Sequence, residues 1–192
     1  MRNRSSLISR RLLLRALLGA AAVPAPFAAL AGFNFFTSEY TASRDELQAQ
    51  IAKRFPVQQR YAEIFTVSLR DPQLGLDAKA NRAAITAVLS IASPLLCPPA
   101  VEGVVSVSSA LKYDAPARAL RLDQPKAERL ELQGVTGRDA ERLQQIGALV
   151  AQELLHGQPL RTFTAEELTV GRKTYEIGDI TVQQDGIKVE LK

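Results

Sequence analysis

The sequence predicts an α+β fold, in which a curved antiparallel sheet wraps around one long amphipathic helix and a shorter helix lies near the N terminus. Three observations carry that prediction. Between Phe65 and Leu132 apolar residues recur with period two, the spacing of half-buried strands. From Leu143 to Leu154 they recur every three or four residues, the spacing of one helix face. The connections between the period-two runs are short and rich in Asp, Pro and Gly, which leaves no room for the helical crossover that parallel strands need.

The first stretch to place is Ser9 to Phe36. Met1 to Arg11 carries Arg2, Arg4, Arg10 and Arg11 and no acid; Leu12 to Ala22 is apolar apart from Arg15; Pro24 and Pro26 follow. With small residues at Ala29 and Ala31, this is the charged region, apolar region and cleavage site of a secretory signal. A retained N-terminal anchor and a structural helix are the alternatives. The apolar run falls short of the ~20 residues of a spanning helix. Ser9-Arg10-Arg11-Leu12-Leu13-Leu14-Arg15 is similar to the twin-arginine export signal, the alternative being an ordinary export signal with adjacent arginines. The expected division is residues 1–31 as signal and 32–192 as a single domain, located in the periplasm.

Removing 1–31 changes the charge balance. The chain has 24 basic and 20 acidic residues. Five arginines lie in the first 31 positions, so the remainder holds 19 bases and 20 acids. The high pI belongs to the address, and no basic run remains that reads as a nucleic-acid footprint. The single cysteine, Cys97, excludes an intrachain disulfide; Pro94-Leu95-Leu96-Cys97-Pro98-Pro99 reads as an apolar, proline-locked turn holding a buried or half-buried inert thiol.

Ser43 and Glu46 form a capping box, followed by Leu47, Ile51 and Phe55 on one face and then Pro56, so a helix is predicted over about Arg44 to Arg54. Phe65, Val67 and Leu69 form a strand ended by a turn at Asp71-Pro72. Ile85, Ala87, Leu89 and Ile91 alternate in a strand whose second face is also partly apolar, consistent with cover on both sides. Val101, Val105 and Val107 mark the next. Leu120 and Leu122 mark a short strand, and Leu130 and Leu132 another. The long helix runs from Asp139 to His156 with Leu143, Ile146, Val150 and Leu154 on its packing face, widened by Leu149 and Leu155. Arg161 to Phe163 is a short strand and Ala165 to Leu168 a helical turn capped by Thr164. Thr174 to Val182 is a strand bent at Gly178-Asp179. A hairpin at Asp185-Gly186 leads to Ile187, Val189 and Leu191.

Residues with chemistry are few. One His and one Cys give no metal-ligand spacing, and no carboxylate cluster suits a hard cation, so no metal or cofactor is expected. His156 reads as a helix-terminal histidine. Glu46, Glu63, Glu102, Glu153, Glu166 and Glu167 form no local motif, and no nucleophile or phosphate-loop pattern is present. An enzyme is not expected. What remains is apolar surface. Either helix and sheet close on each other, or they leave a groove for an apolar ligand, lined by Leu143, Ile146, Val150 and Leu154 opposite Ile85, Leu89 and Val105.

From Leu30 to the C terminus the chain resembles the YceB-like family of bacterial envelope lipoproteins, a family without an established function. The resemblance rests on Tyr40-Thr41-Ala42-Ser43-Arg44-Asp45-Glu46-Leu47 with Ile51 and Phe55-Pro56. It also rests on the strands within Ala119 to Leu132, the helix from Leu143 to Leu155, and the final strands. That family is similar in fold to one half of the tubular lipid-binding proteins, which implies an apolar groove able to hold a lipid or fatty acyl chain. The departure is at Phe33, where the lipid-bearing cysteine would stand, so lipidation is not expected there. Phe33, Phe35 and Phe36 would then form an apolar lead for loose contact with a membrane or an envelope protein partner, or a disordered stub. A structural or protein-interaction module of the cell envelope, without ligand, is the alternative function.

Overall fold

The alternation read at Arg82–Ala92 is the centre of the architecture. In this strand every second residue, from Ala83 to Ile91, is buried, while Arg82, Ala84, Thr86, Val88 and Ser90 are half-exposed. Only one face is therefore fully covered, and the expectation of cover on both sides is corrected. A computed structural model describes residues 32–34, 39–61, 63–170 and 172–192. The proposed signal at 1–31, its Ala29-Leu30-Ala31 site, and Phe35 and Phe36 lie outside the described residues. Phe33 is described by its backbone alone.

Six strands form a meander in sequence order: β3 (Val57–Tyr61), β4 (Phe65–Asp77), β5 (Arg82–Ala92), β6 (Ala100–Asp114), β7 (Ala119–Leu132) and β8 (Pro159–Thr162). Every neighbouring pair is antiparallel. A second sheet of four strands joins the two ends of the described chain in the order β1 (Gly32–Asn34), β2 (Glu39–Ser43), β12 (Gly186–Leu191), β11 (Ile177–Val182). A two-strand ribbon of β9 (Thr169–Val170) and β10 (Lys173–Thr174) completes the strands.

Two positions read as breaks are bulges inside long strands. Arg70 pairs with Val88 and Gln73 with Thr86, so Asp71 and Pro72 together face Ala87. Ala110 pairs with Asp123 and Ser108 with Lys126, so Gln124 and Pro125 face Ser109. Asp71 and Gln124 take positive φ angles of 53° and 46°. A bulge accepts a proline, because the extra residue stands outside the ladder, and it bends the strand and increases its twist. The prolines therefore curl the sheet without ending the strands. The turn expected at Asp71-Pro72 is absent, and the runs at Leu120–Leu122 and Leu130–Leu132 belong to one strand of 14 residues.

Helix α1 (Arg44–Ala52) begins as predicted, with the Glu46 amide donating to Ser43 Oγ at 3.3 Å. Leu47 and Ile51 are buried. The helix contacts β4, β8, β2 and β12 and so sits between the two sheets. Gln48 fastens it to the β4 bulge. Its Nε2 donates to the Pro72 carbonyl at 2.7 Å and its Oε1 accepts from the Leu74 amide at 2.7 Å. One side-chain amide thus satisfies backbone groups at the irregularity.

Helix α2 (Gly137–Leu155) crosses the six-stranded sheet, touching β7 most and also β3, β4, β5 and β6. Its buried residues are Ala140, Gly147, Val150, Ala151 and Leu155. The predicted packing face is therefore rotated. Leu143 and Leu154 are half-buried, Ile146 is 51% exposed and Leu149 66% exposed. The cause is close approach. A Cβ at Gly147 would stand 3.0 Å from both Leu89 Cδ2 and Leu130 Cδ2, and 3.3 Å from Ile91 Cδ1. Small residues let the helix backbone settle on the sheet, and the larger aliphatics one step around the helix are left at its edge.

Candidate functional site

That rotation creates an apolar recess at the edge of α2. Its floor is Val67 of β4 and Ile91 of β5, both buried, and its far wall is Tyr61 of β3 with Phe65 at the start of β4. The helix supplies Leu143, Ile146 and Val150. The volume is about 140 Å³. An engineered apolar cavity of about 150 Å³ stays dry and binds benzene, so the recess has the volume of one small apolar group. The Tyr61 ring faces the recess while its hydroxyl reaches Glu153 Oε2 on α2 at 3.2 Å. Burial, and then the Glu153 charge, raise the Tyr61 pKa above its usual value. The phenol stays neutral and donates, holding β3 to the helix at the recess wall.

A wider depression of about 580 Å³ adjoins the recess through two shared residues, Phe65 and Leu143. Its other lining includes Leu95 and Cys97 from the β5–β6 loop, Val135, and Asp139 and Arg142 from the start of α2. Cys97 is exposed, which corrects the expectation of a buried or half-buried thiol. Its proline-rich loop stands at the surface, beyond the core that β5 and β6 enclose.

The predicted groove residues divide between two environments. Leu143, Ile146 and Val150 meet at the recess. Ile85, Leu89 and Val105 are enclosed in the core, at 2% exposure or less. They support the helix without lining the recess. Leu154 packs against the core one turn beyond it. Tyr61 was not singled out in the sequence and Phe65 was read only as a strand position, because β3 and the start of β4 meet α2 only after the sheet curls.

A polar cleft of about 370 Å³ lies at the other end of α2, lined by Lys112, Asp114, Arg121, Asp123 and His156 among others. His156 is the C-cap of α2 and is exposed. Arg121 is committed to structure, its Nε to Asp114 Oδ2 at 2.7 Å and its Nη1 to the Gly157 carbonyl at 2.7 Å. The hydrogen bond from Arg121, then the Ala117 amide, hold the Asp114 carboxyl below its usual value. A lowered folded pKa contributes stability that is present above the unfolded value of about 3.9 and lost as pH falls through the folded one. NMR titration is therefore expected to find Asp114 ionised below the ordinary Asp range, and Arg121→Gln to move it back upward. Among the described residues no group of three or more His, Cys, Asp or Glu is arranged to hold a metal.

One buried polar cluster was not foreseen. Arg161 of β8, 8% exposed, places Nη1 2.6 Å from Glu46 Oε1 and Nη2 2.6 Å from Glu167 Oε1. Nη2 also donates to Tyr40 Oη at 2.8 Å. The Tyr40 and Phe163 rings flank the guanidinium at 5.8 and 5.6 Å. Burial is the largest cause of the raised Tyr40 pKa. Glu46 thus spends its carboxylate on a residue 115 positions away, while only its backbone amide engages the Ser43 cap. Glu167 also accepts from the Thr164 amide at 2.8 Å, closing the predicted turn. The cluster joins β2, α1, β8 and the turn at 164–168; both Nη atoms of Arg161 are paired, whereas Arg161 Nε and Glu46 Oε2 are buried without a hydrogen-bond partner among the described residues. It is a clasp between the sheets.

Compared with protein-family models and with curated proteins, the chain matches none.

Proposed function

We propose that the protein is an exported, non-enzymatic envelope protein that binds the end of an apolar chain, such as a fatty acyl group, between α2 and the curled sheet. The observation that carries this reading is the recess under Ile146: seven apolar or aromatic side chains surround about 140 Å³ at the edge of an otherwise closed core. An interior packed to ordinary density leaves few voids larger than a water molecule. The resemblance to YceB-like lipoproteins, and through them to tubular lipid-binding proteins, points to the same ligand class. Export to the periplasm, by the twin-arginine route or an ordinary one, belongs to the same proposal and is checked by the intact mass of the exported protein.

Binding is tested by titrating a fluorescent fatty-acid probe into the full chain. Val150→Phe fills the recess and is expected to weaken the probe at least tenfold, with thermal stability kept or raised because filling a cavity commonly stabilises. Ile146→Ala removes part of the exposed lip and is expected to weaken the probe severalfold. Because Ile146 is half in solvent, its stability cost should stay below the ~2–5 kcal/mol of a core Ile→Ala change. Probe binding that is absent, or unchanged in Val150→Phe, would defeat the proposal.

A further inference from the structure

The polar cleft at the far end of α2 holds charges that the fold leaves unmatched. Lys112 and Asp114 of β6 and Arg121 and Asp123 of β7 all line it. Side chains two apart on a strand share a face, so all four lie on the side of the sheet away from the buried Leu120 and Leu122. Lys112 stands directly across the ladder from Arg121, and like charges in that position destabilise a sheet. Asp114 takes Arg121 Nε and the Gly157 carbonyl takes Nη1, which leaves Nη2 unspent. Lys112 acts on Asp114 only at a distance and makes no hydrogen bond or ion pair with any described residue. Asp123 is half-buried and also makes none. A carboxylate withdrawn from water without a partner costs free energy.

We propose that this cleft binds a small zwitterion, one molecule carrying an ammonium and an acid group on a short carbon frame. An acid group between Lys112 Nζ and Arg121 Nη2 relieves the like-charge pair. An ammonium at Asp123 supplies the partner that its carboxylate lacks. Lys112 and Asp123 are diagonal neighbours on the face, on the order of 7–8 Å apart at the backbone, and do not pair with each other. A single small molecule can span that gap. The two bases and two acids cancel, so a plain anion or cation meets one favourable end and one unfavourable one, whereas a zwitterion is matched at both. Ala115 and Pro116 give the carbon frame an apolar wall. The volume of about 370 Å³ falls in the range of small-molecule sites. The cleft shares no lining residue with the acyl recess, so binding here is independent of the apolar chain proposed there.

The full chain is titrated with L-alanine and, separately, with glycerophosphoethanolamine, and binding is followed through amide chemical shifts by NMR. Saturable shifts are expected around Tyr113, Leu122, Asp123 and Gly157. Saturation by either compound supports the site, and the tighter of the two identifies the source as a free amino acid or a lipid headgroup. Propionate and ethylamine each carry one of the two charges and should bind at least tenfold more weakly. Asp123→Asn and Lys112→Gln should each raise Kd about tenfold, the loss of one charge-assisted hydrogen bond. Neither residue has a partner to lose, so the unfolding midpoint should not fall. Lys126→Gln, on β7 but outside the cleft, should leave Kd unchanged. No saturable shift with either zwitterion would overturn the proposal. So would propionate or ethylamine binding as tightly as the zwitterions, or wild-type affinity in Asp123→Asn.

Discussion

Replacing Arg161 with alanine is expected to destabilise the protein by about 3 kcal/mol, because it leaves the half-buried carboxylates of Glu46 and Glu167 behind without their cation. Glu46 and Glu167 then repel each other with no cation between them, and Tyr40 Oη loses its donor. The effect should appear as a lower denaturant midpoint at unchanged slope. The combination Arg161→Met, Glu46→Gln, Glu167→Gln removes all three charges together. It is expected to regain much of the loss, since apolar or neutral replacement of a whole buried ionic group is often close to neutral. Arg161→Ala at wild-type stability would mean that the two sheets hold together without the clasp.

The second large effect is expected at the helix face that meets the sheet. Ala151 is fully buried. Ala151→Asp forces an unpaired carboxylate and extra volume into the interface and should cost about 4 kcal/mol or more. Leu149→Asp, two residues away and two-thirds exposed, should remain within about 0.5 kcal/mol, as for an ordinary surface change. Urea titration of the two variants measures which way the helix is turned. Reversed costs would mean that α2 presents Leu149, and with it Ile146, to the core, and the recess would be closed. The contrast therefore tests through stability alone whether the recess is open.

The rotation of α2 also explains how far its site could be read from the sequence. Apolar periodicity ranks faces by size, so Leu143, Ile146, Val150 and Leu154 stood out. The face that reaches the sheet is instead the one whose small residues, Ala140, Gly147 and Ala151, allow the backbone to come close. A bulky face and a close-packing face can differ by one residue around the helix, and hydropathy does not separate them. Val150 belongs to both, which is why it was found. Tyr61 and Phe65 were missed because their relation to α2 depends on the curl of the sheet. Ile85, Leu89 and Val105 were identified as inward-facing but assigned to a lining they do not reach.

Most of the elements were decided by the sequence, although β3 was not foreseen and the run from Thr174 to Val182 divides between β10 and β11. The Ser43 cap, the start of α1, the alternation of β5, the antiparallel order, the position of α2 to within two residues at either end and the final hairpin all follow from local patterns. Each depends on backbone preference and on the periodicity of one segment, which a linear chain displays directly. The tertiary structure decided three other things. It turned Asp71-Pro72 and Gln124-Pro125 from breaks into bulges, because a neighbouring strand continued past them in register. It brought Glu46, Arg161 and Glu167 into one clasp across as many as 121 residues. It also set the helix on its small-residue side and so left an apolar recess under the half-exposed Ile146. Those three depend on which surfaces meet after the sheet has curled, and a distance along the chain carries no record of that.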